Sequence, residues 1–188
     1  MAWMEREEIL FRTLEKHIIT ERLTQGFHDD VDGFLSFSLS VQNRRKSRVG
    51  FALENHMEVV FTECGIQYQR GANTEGRSKP DFLFPGRKEY CNADYNPILL
   101  TMLGVKSTCK DRWRQVLAEA KRIEDKHLLT LEAAISQHQT DEMKEQRLQL
   151  VLPKGLHQTY TRAQQGWLID VAEFIDIVRS RQAKAANS

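Results

Sequence analysis

Apolar residues recur along this chain at two periods. Residues 2–24 carry Ile9, Leu14, Ile18 and Ile19 at roughly helical spacing among Glu, Arg and Lys, which predicts an amphipathic helix. The stretch from Gly26 to Gly33 is turn-forming. Asp29, Asp30 and Asp32 are candidate starts for a short helix over 31–39 bearing Phe34, Leu35, Phe37 and Leu39. A stronger helix is predicted over 47–64. Ser47 suits an N-cap, Val49, Leu53, Met57, Val60 and Phe61 form one stripe, and Gly65 is a stop.

Beyond Gly65 the apolar runs shorten. Residues 66–68, 80–84, 98–107, 127–131 and 148–152 are bounded by Gly, Pro and polar residues and predict five strands. Helices are predicted over 111–125, with a buried stripe of Trp113, Val116, Leu117, Ala120 and Ile123, over 131–145, and over 162–181, with Trp167, Leu168, Val171, Phe174, Ile175 and Val178. This order predicts an α/β protein with a central mixed five-stranded sheet flanked by helices. The expected organisation is one domain overall: an N-terminal helical segment over 1–46, a core with its closing helix over 47–182, and a flexible tail over 183–188.

Composition narrows the class. The chain has 188 residues, 40% hydrophobic and 28% charged, as in an ordinary globular domain. No apolar run reaches the ~20 residues of a membrane span, and the charged start Met1-Ala2-Trp3-Met4-Glu5-Arg6 does not suit a signal peptide. Cys64, Cys91 and Cys109 are few and widely spaced, so neither a disulfide framework nor a structural zinc site is expected, and a reducing cytoplasm is the expected home. The net charge of +1 is unevenly spread. Arg44, Arg45, Lys46 and Arg48 make one basic run, and Lys106, Lys110, Arg112 and Arg114 make another. A neutral total can hide a basic face; taken alone, such a run reads equally as a solvated helix face.

The chemistry-bearing residues lie at the strand starts and ends. Asp81 follows Pro80 and opens an apolar run, and Lys106 stands near the end of another. An ammonium in an apolar strand needs a partner, because an unpaired buried charge is costly. Glu119 lies in the stretch that follows, where Arg112, Gln115 and Glu119 share one face if 111–125 is helical. Glu54 flanks the stripe of the 47–64 helix. Two carboxylates, a Lys and a divalent cation are the parts needed to hydrolyse a phosphodiester: the cation neutralises developing charge, and a positioned group aims the water. Magnesium suits such a set because it takes oxygen ligands and keeps several waters. Each residue alone has a simpler use, as a turn, an edge residue or a solvated side chain.

Together they resemble a known family. Ser47, Gly50 and Leu53-Glu54-Asn55-His56, then Thr74-Glu75-Gly76, Lys79-Pro80-Asp81-Phe82-Leu83-Phe84-Pro85, Val105-Lys106 and Thr108-Cys109-Lys110-Asp111-Arg112-Trp113-Arg114-Gln115 resemble the C-terminal catalytic domain of the EcoRII-like type II restriction endonucleases, in the PD-(D/E)XK superfamily. The resemblance implies a restriction-endonuclease-like fold. It also implies a homodimer that cuts double-stranded DNA at CCWGG with Mg²⁺ and without a nucleotide cofactor. Asp81, Glu119 and the Val105 carbonyl would hold metal, Lys106 would act at the attacking water, and Glu54 would assist. Lys110, Asp111 and Arg112 would read the CC:GG pairs; Lys and Arg donate to guanine, and Asp accepts from cytosine N4. Arg44, Arg45 and Arg48 are candidates for DNA contact, and with Trp3 and Arg6 for base-flipping pockets. The superfamily's usual acid two positions before the Lys is replaced by Gly104, and in this branch the second carboxylate has moved downstream, where Glu119 stands.

Residues 1–46 are too few for the N-terminal DNA-binding domain of the family's longer members, so the chain is either a natural stand-alone version or an excised piece; as a stand-alone unit it is expected to cleave without a second effector site. Two other readings fit part of the pattern: a DNA-binding module that no longer cleaves, and a nuclease of the same fold acting in repair. Retained Asp81, Lys106 and Glu119 argue against the first, and the Lys110-Asp111-Arg112 readers against the second.

Overall fold

A computed structural model describes residues 2–76, 78–109 and 112–187, apart from the side chains of residues 2–4. It divides into two compact units, Met1–Leu53 and Glu54–Ser188.

In the first unit, helix α1 (Ala2–Gln25) turns at Gly26, whose φ of 75° is easy only for glycine. It leads to helix α2 (Val31–Glu63). Asp30 begins α2 by accepting the Gly33 amide at 2.8 Å. Phe27 packs on Phe34 and Phe37 and lies under the Arg22 guanidinium. Sequence predicted two helices, 31–39 and 47–64; one continuous helix of 33 residues forms instead. The stretch between them is polar but holds no Gly or Pro, and polarity alone breaks no helix. Ser47 is therefore a mid-helix residue. The basic run faces α1: Arg45 grips Glu15 with two bonds of 2.7 Å, and Arg48 pairs with Glu8 and lies over the Phe11 ring.

The second unit holds the predicted sheet. Strands β1 (Gln69–Arg70), β2 (Phe82–Phe84), β3 (Thr101–Lys106), β4 (Lys126–Thr130) and β5 (Leu148–Val151) lie in sequence order, antiparallel from β1 to β3 and parallel from β3 to β5. Residues 66–68 do not pair as expected; the Gln182 side chain bonds both backbone groups of Gln67, and Tyr68 packs on Phe61 and Phe82. The pleat sends Phe82, Phe84 and His127 to one face, against Phe61 of α2 and Phe174 of helix α7 (Val171–Ala186). Leu83, Met102, Leu128 and Leu150 point the other way. They pack with Tyr90 of helix α3 (Arg87–Cys91), Trp113 and Val116 of helix α4 (Trp113–Leu117) and Met143 of helix α5 (Gln137–Glu145).

Three predicted helices are shorter than expected. The 111–125 stretch is helical only in α4, then turns through Ala120, whose φ is 46°. Trp113, Val116, Ala120 and Ile123 are buried as predicted, so the stripe is correct and its continuous helix is not. The 131–145 stretch is helical only in α5, capped by Ser136. The 162–181 stretch splits into helix α6 (Arg162–Gln165) and α7, because Ile169 bridges Val151 beyond the β5 edge and Asp170 caps a new start with a reciprocal Glu173 bond. Helix α7 runs on to Ala186, past the predicted start of the tail.

Candidate active site

Asp81 immediately precedes β2, and the antiparallel ladder with β3 stops at the Phe82–Leu103 pair. The Asp81 side chain continues where the backbone stops. Its Oδ2 accepts the Val105 amide at 2.6 Å and Lys106 Nζ at 2.8 Å. Both side chains keep partial solvent contact, 19% for Asp81 and 14% for Lys106. The ammonium is thus paired yet reachable, at the end of β3 beside Thr130.

Glu119 joins this pair by a different route from the predicted one. It lies beyond the end of α4, where its amide bonds the Val116 carbonyl at 3.1 Å. Its Oε2 is buried without a hydrogen-bond partner among the described residues. Burial pushes this carboxyl up to about 7, Asp81 adds to the rise, and Lys106 and Lys126 oppose it. Glu119 therefore sits in the field of the Asp81–Lys106 pair. Gly104 helps α4 reach the sheet: a Cβ there would stand 2.9 and 3.1 Å from the Val116 methyls. The space that a side chain at position 104 would take is filled by Val116 of α4.

Glu54 is held by Arg70 of β1, at 2.9 Å to Nη2 and 3.3 Å to Nε. The same guanidinium binds Asn55 and Glu58. Arg70 precedes Gly71, whose amide bonds the Asp81 carbonyl at 2.9 Å, so Glu54 is fastened to the strand adjoining Asp81. Arg112 is exposed at the start of α4. Lys110 and Asp111 lie outside the described residues, as does the side chain of Trp3. Arg44 and Arg6 are exposed, whereas Arg45 and Arg48 are engaged by acids of α1 within the first unit.

Sequence reasoning passed over Arg70, Lys126 and the use of Glu75. Lys126 had a signal, a lysine opening an apolar strand. Glu75 stood in a quoted motif without a role.

The donor set suits a hard divalent cation. Two carboxylates near one lysine, one of them with a buried unbonded oxygen, offer oxygen ligands only. Among the described residues no three His, Cys, Asp or Glu form a group that could hold a metal ion.

Residues 11–175 match the EcoRII C-terminal family, EcoRII-C. The chain belongs to this family. A curated EcoRII-C relative, the Type II restriction enzyme EcoRII of Escherichia coli, is 42% identical over 167 residues, which is 88% of this chain and 41% of that protein. The chain thus spans less than half the length of that relative. Two structures of metal-depleted Ecl18kI with uncleaved DNA, one with the DNA modified, superpose with a TM-score of 0.72. They are 19% and 18% identical and cover 95% and 98% of this chain, and 64% and 65% of theirs. At that identity the likeness establishes the restriction-endonuclease-like fold. Asp81 and Lys106 are bonded to each other, and Glu119 lies within electrostatic reach of both. No helix among the described residues is long and apolar enough to cross a membrane.

Proposed function

We propose that this chain is the catalytic part of a type II restriction endonuclease, hydrolysing double-stranded DNA at a CCWGG-like site with Mg²⁺, in the cytoplasm and as a homodimer. The observation that carries this reading is the Asp81–Lys106 pair, with a buried, unbonded Glu119 oxygen within its electrostatic reach, in a member of the EcoRII-C family. The work of cutting is assigned to residues 47–182.

Asp81, Glu119 and the Val105 carbonyl would hold the magnesium. When bound, the ion supplies charge neutralisation at the phosphate and acidifies water. Lys106, fixed by Asp81, orients the attacking water on the scissile phosphorus. The water oxygen bonds phosphorus and gives up a proton to solvent, the ester P–O bond breaks, and the leaving oxygen takes a proton from a second water. Glu54, held by Arg70, is positioned to accept from water at the edge of the site. Lys110, Asp111 and Arg112 carry the donor and acceptor groups that C:G pairs demand in the major groove. Arg44 supplies an exposed charge for a phosphate. Arg45 and Arg48 can take that role only by leaving their carboxylate partners. A two-fold dimer matches the symmetry of a palindromic target.

The test is a competition between duplexes. With Mg²⁺ and equal amounts of a CCWGG duplex and a scrambled duplex of the same composition, only the first is expected to be cut. Equal cutting of both would overturn the assignment of the target. Tight selective binding without cutting would support the non-cleaving module instead.

A further inference from the structure

Glu119 stands on neither a helix nor a strand. The segment from Ala118 to Asp125 passes through Ala120 at φ 46°, a left-handed conformation that a non-glycine residue rarely adopts. Such a path persists only where its surroundings impose it. Lys126 opens β4 and is 6% exposed. Its ammonium donates to the carbonyls of Glu119, Ala120 and Ile123. An ammonium has three protons, so its donor capacity is spent on this one segment. From the other side, Glu75 accepts the Lys121 amide at 3.2 Å and the Tyr90 hydroxyl, while that hydroxyl accepts the Arg122 amide at 3.2 Å. Lys126 thus grips the segment by its carbonyls, and Glu75 and Tyr90 grip it by its amides. Glu119 Oε2 is left buried without a hydrogen-bond partner among the described residues.

We propose that Lys126 and Glu75 are positioning residues that aim the Glu119 carboxylate at the Asp81–Lys106 pair. The proposal rests on the reading of Glu119 as a metal ligand. Residues that orient a ligand typically alter metal affinity about 10–100-fold. A buried lysine holding only a loop would affect stability without changing how metal binds.

The experiment compares wild type, Lys126→Met, Glu75→Gln, Tyr90→Phe and Glu119→Ala. Mn²⁺ binding is followed by calorimetry, and cleavage of a CCWGG duplex is followed against Mg²⁺ concentration. Glu119→Ala is expected to lose Mn²⁺ binding. Lys126→Met and Glu75→Gln are expected to weaken it about tenfold and raise half-saturating Mg²⁺ by the same factor, with the maximal rate largely recovered at high Mg²⁺. Should Lys126→Met fail to fold, Glu75→Gln and Tyr90→Phe decide the matter, since the first turns one acceptor oxygen into a donor and the second removes one hydroxyl, with little change of shape. Wild-type metal binding in the variants that fold, with its loss in Glu119→Ala, would overturn the proposal and leave the ligand reading standing. Wild-type binding in Glu119→Ala would overturn the ligand reading, and this proposal with it.

Discussion

Replacing Glu119 with Gln keeps the shape of the side chain and removes its charge. In the metal-free protein the Glu119 carboxyl is raised from 4.5 to about 7, chiefly by burial. An acid raised on folding is disfavoured in its ionised folded form. The cost is absent below the unfolded value of 4.5, grows as pH rises, and is complete above 7. At about 1.4 kcal/mol per pH unit this amounts to about 3 kcal/mol, and partial solvent contact reduces it to about 2. Glu119→Gln carries no such cost. In chelator, its stability relative to wild type is expected to rise by about 2 kcal/mol between pH 4.5 and 8. For a chain of this size that is roughly 4–8 °C in Tm. Mg²⁺ at pH 8 should stabilise wild type and not the variant, because a metal favours the ionised carboxylate. Below pH 7 metal and proton compete, so half-saturating Mg²⁺ for cleavage should rise about tenfold per pH unit. Thermal melts from pH 4.5 to 8, with chelator and with Mg²⁺, provide the assay. Parallel stability curves for the two proteins would refute the reasoning, since they would mean that Glu119 titrates normally.

Three further outcomes are expected. Gly104→Ala puts a Cβ 2.9 Å from a Val116 methyl, an overpacking worth about 1–3 kcal/mol; chemical denaturation should show that loss and its partial recovery when Val116→Ala is added. Burial, with Arg181 adding, pushes His127 from 6.5 down to about 4. Its neutral form stabilises fully above 6.5 and is lost as pH falls towards 4, at a cost of about 3 kcal/mol, so His127→Phe should flatten the acid limb of a pH–stability curve. Arg70→Met and Glu54→Ala should each slow single-turnover cleavage about tenfold, with no further fall when combined, because one acts through the other.

Much of the fold was legible because burial leaves a pattern. The five apolar runs and the inward residues Trp113, Val116, Ala120 and Ile123 could be read from period and hydropathy. The path between them could not. A helical period through 111–125 is satisfied equally by a short helix followed by a tight turn, and only Lys126, Glu75 and Tyr90, distant in sequence or assigned to no role, decide for the turn. The break expected between 39 and 47 came from polarity, yet Arg45 and Arg48 are polar because they bind α1 acids. At the site, Asp81 and Lys106 were legible as charges set in apolar runs. Glu119 was singled out from the helical face it would share with Arg112 and Gln115, and it arrives by a turn rather than along a helix. Arg70 was invisible, because an arginine on a two-residue edge strand carries no periodic signal.

The central claim is that Asp81, Lys106 and Glu119 form one hydrolytic centre. Single-turnover cleavage of an unmethylated plasmid containing CCWGG sites, by wild type and Lys106→Ala with the ends mapped, tests it most directly. The account predicts discrete Mg²⁺-dependent cuts at those sites by wild type, and a fall of at least about 10²-fold in Lys106→Ala with site binding retained. Cleavage by Lys106→Ala at the wild-type rate would contradict it.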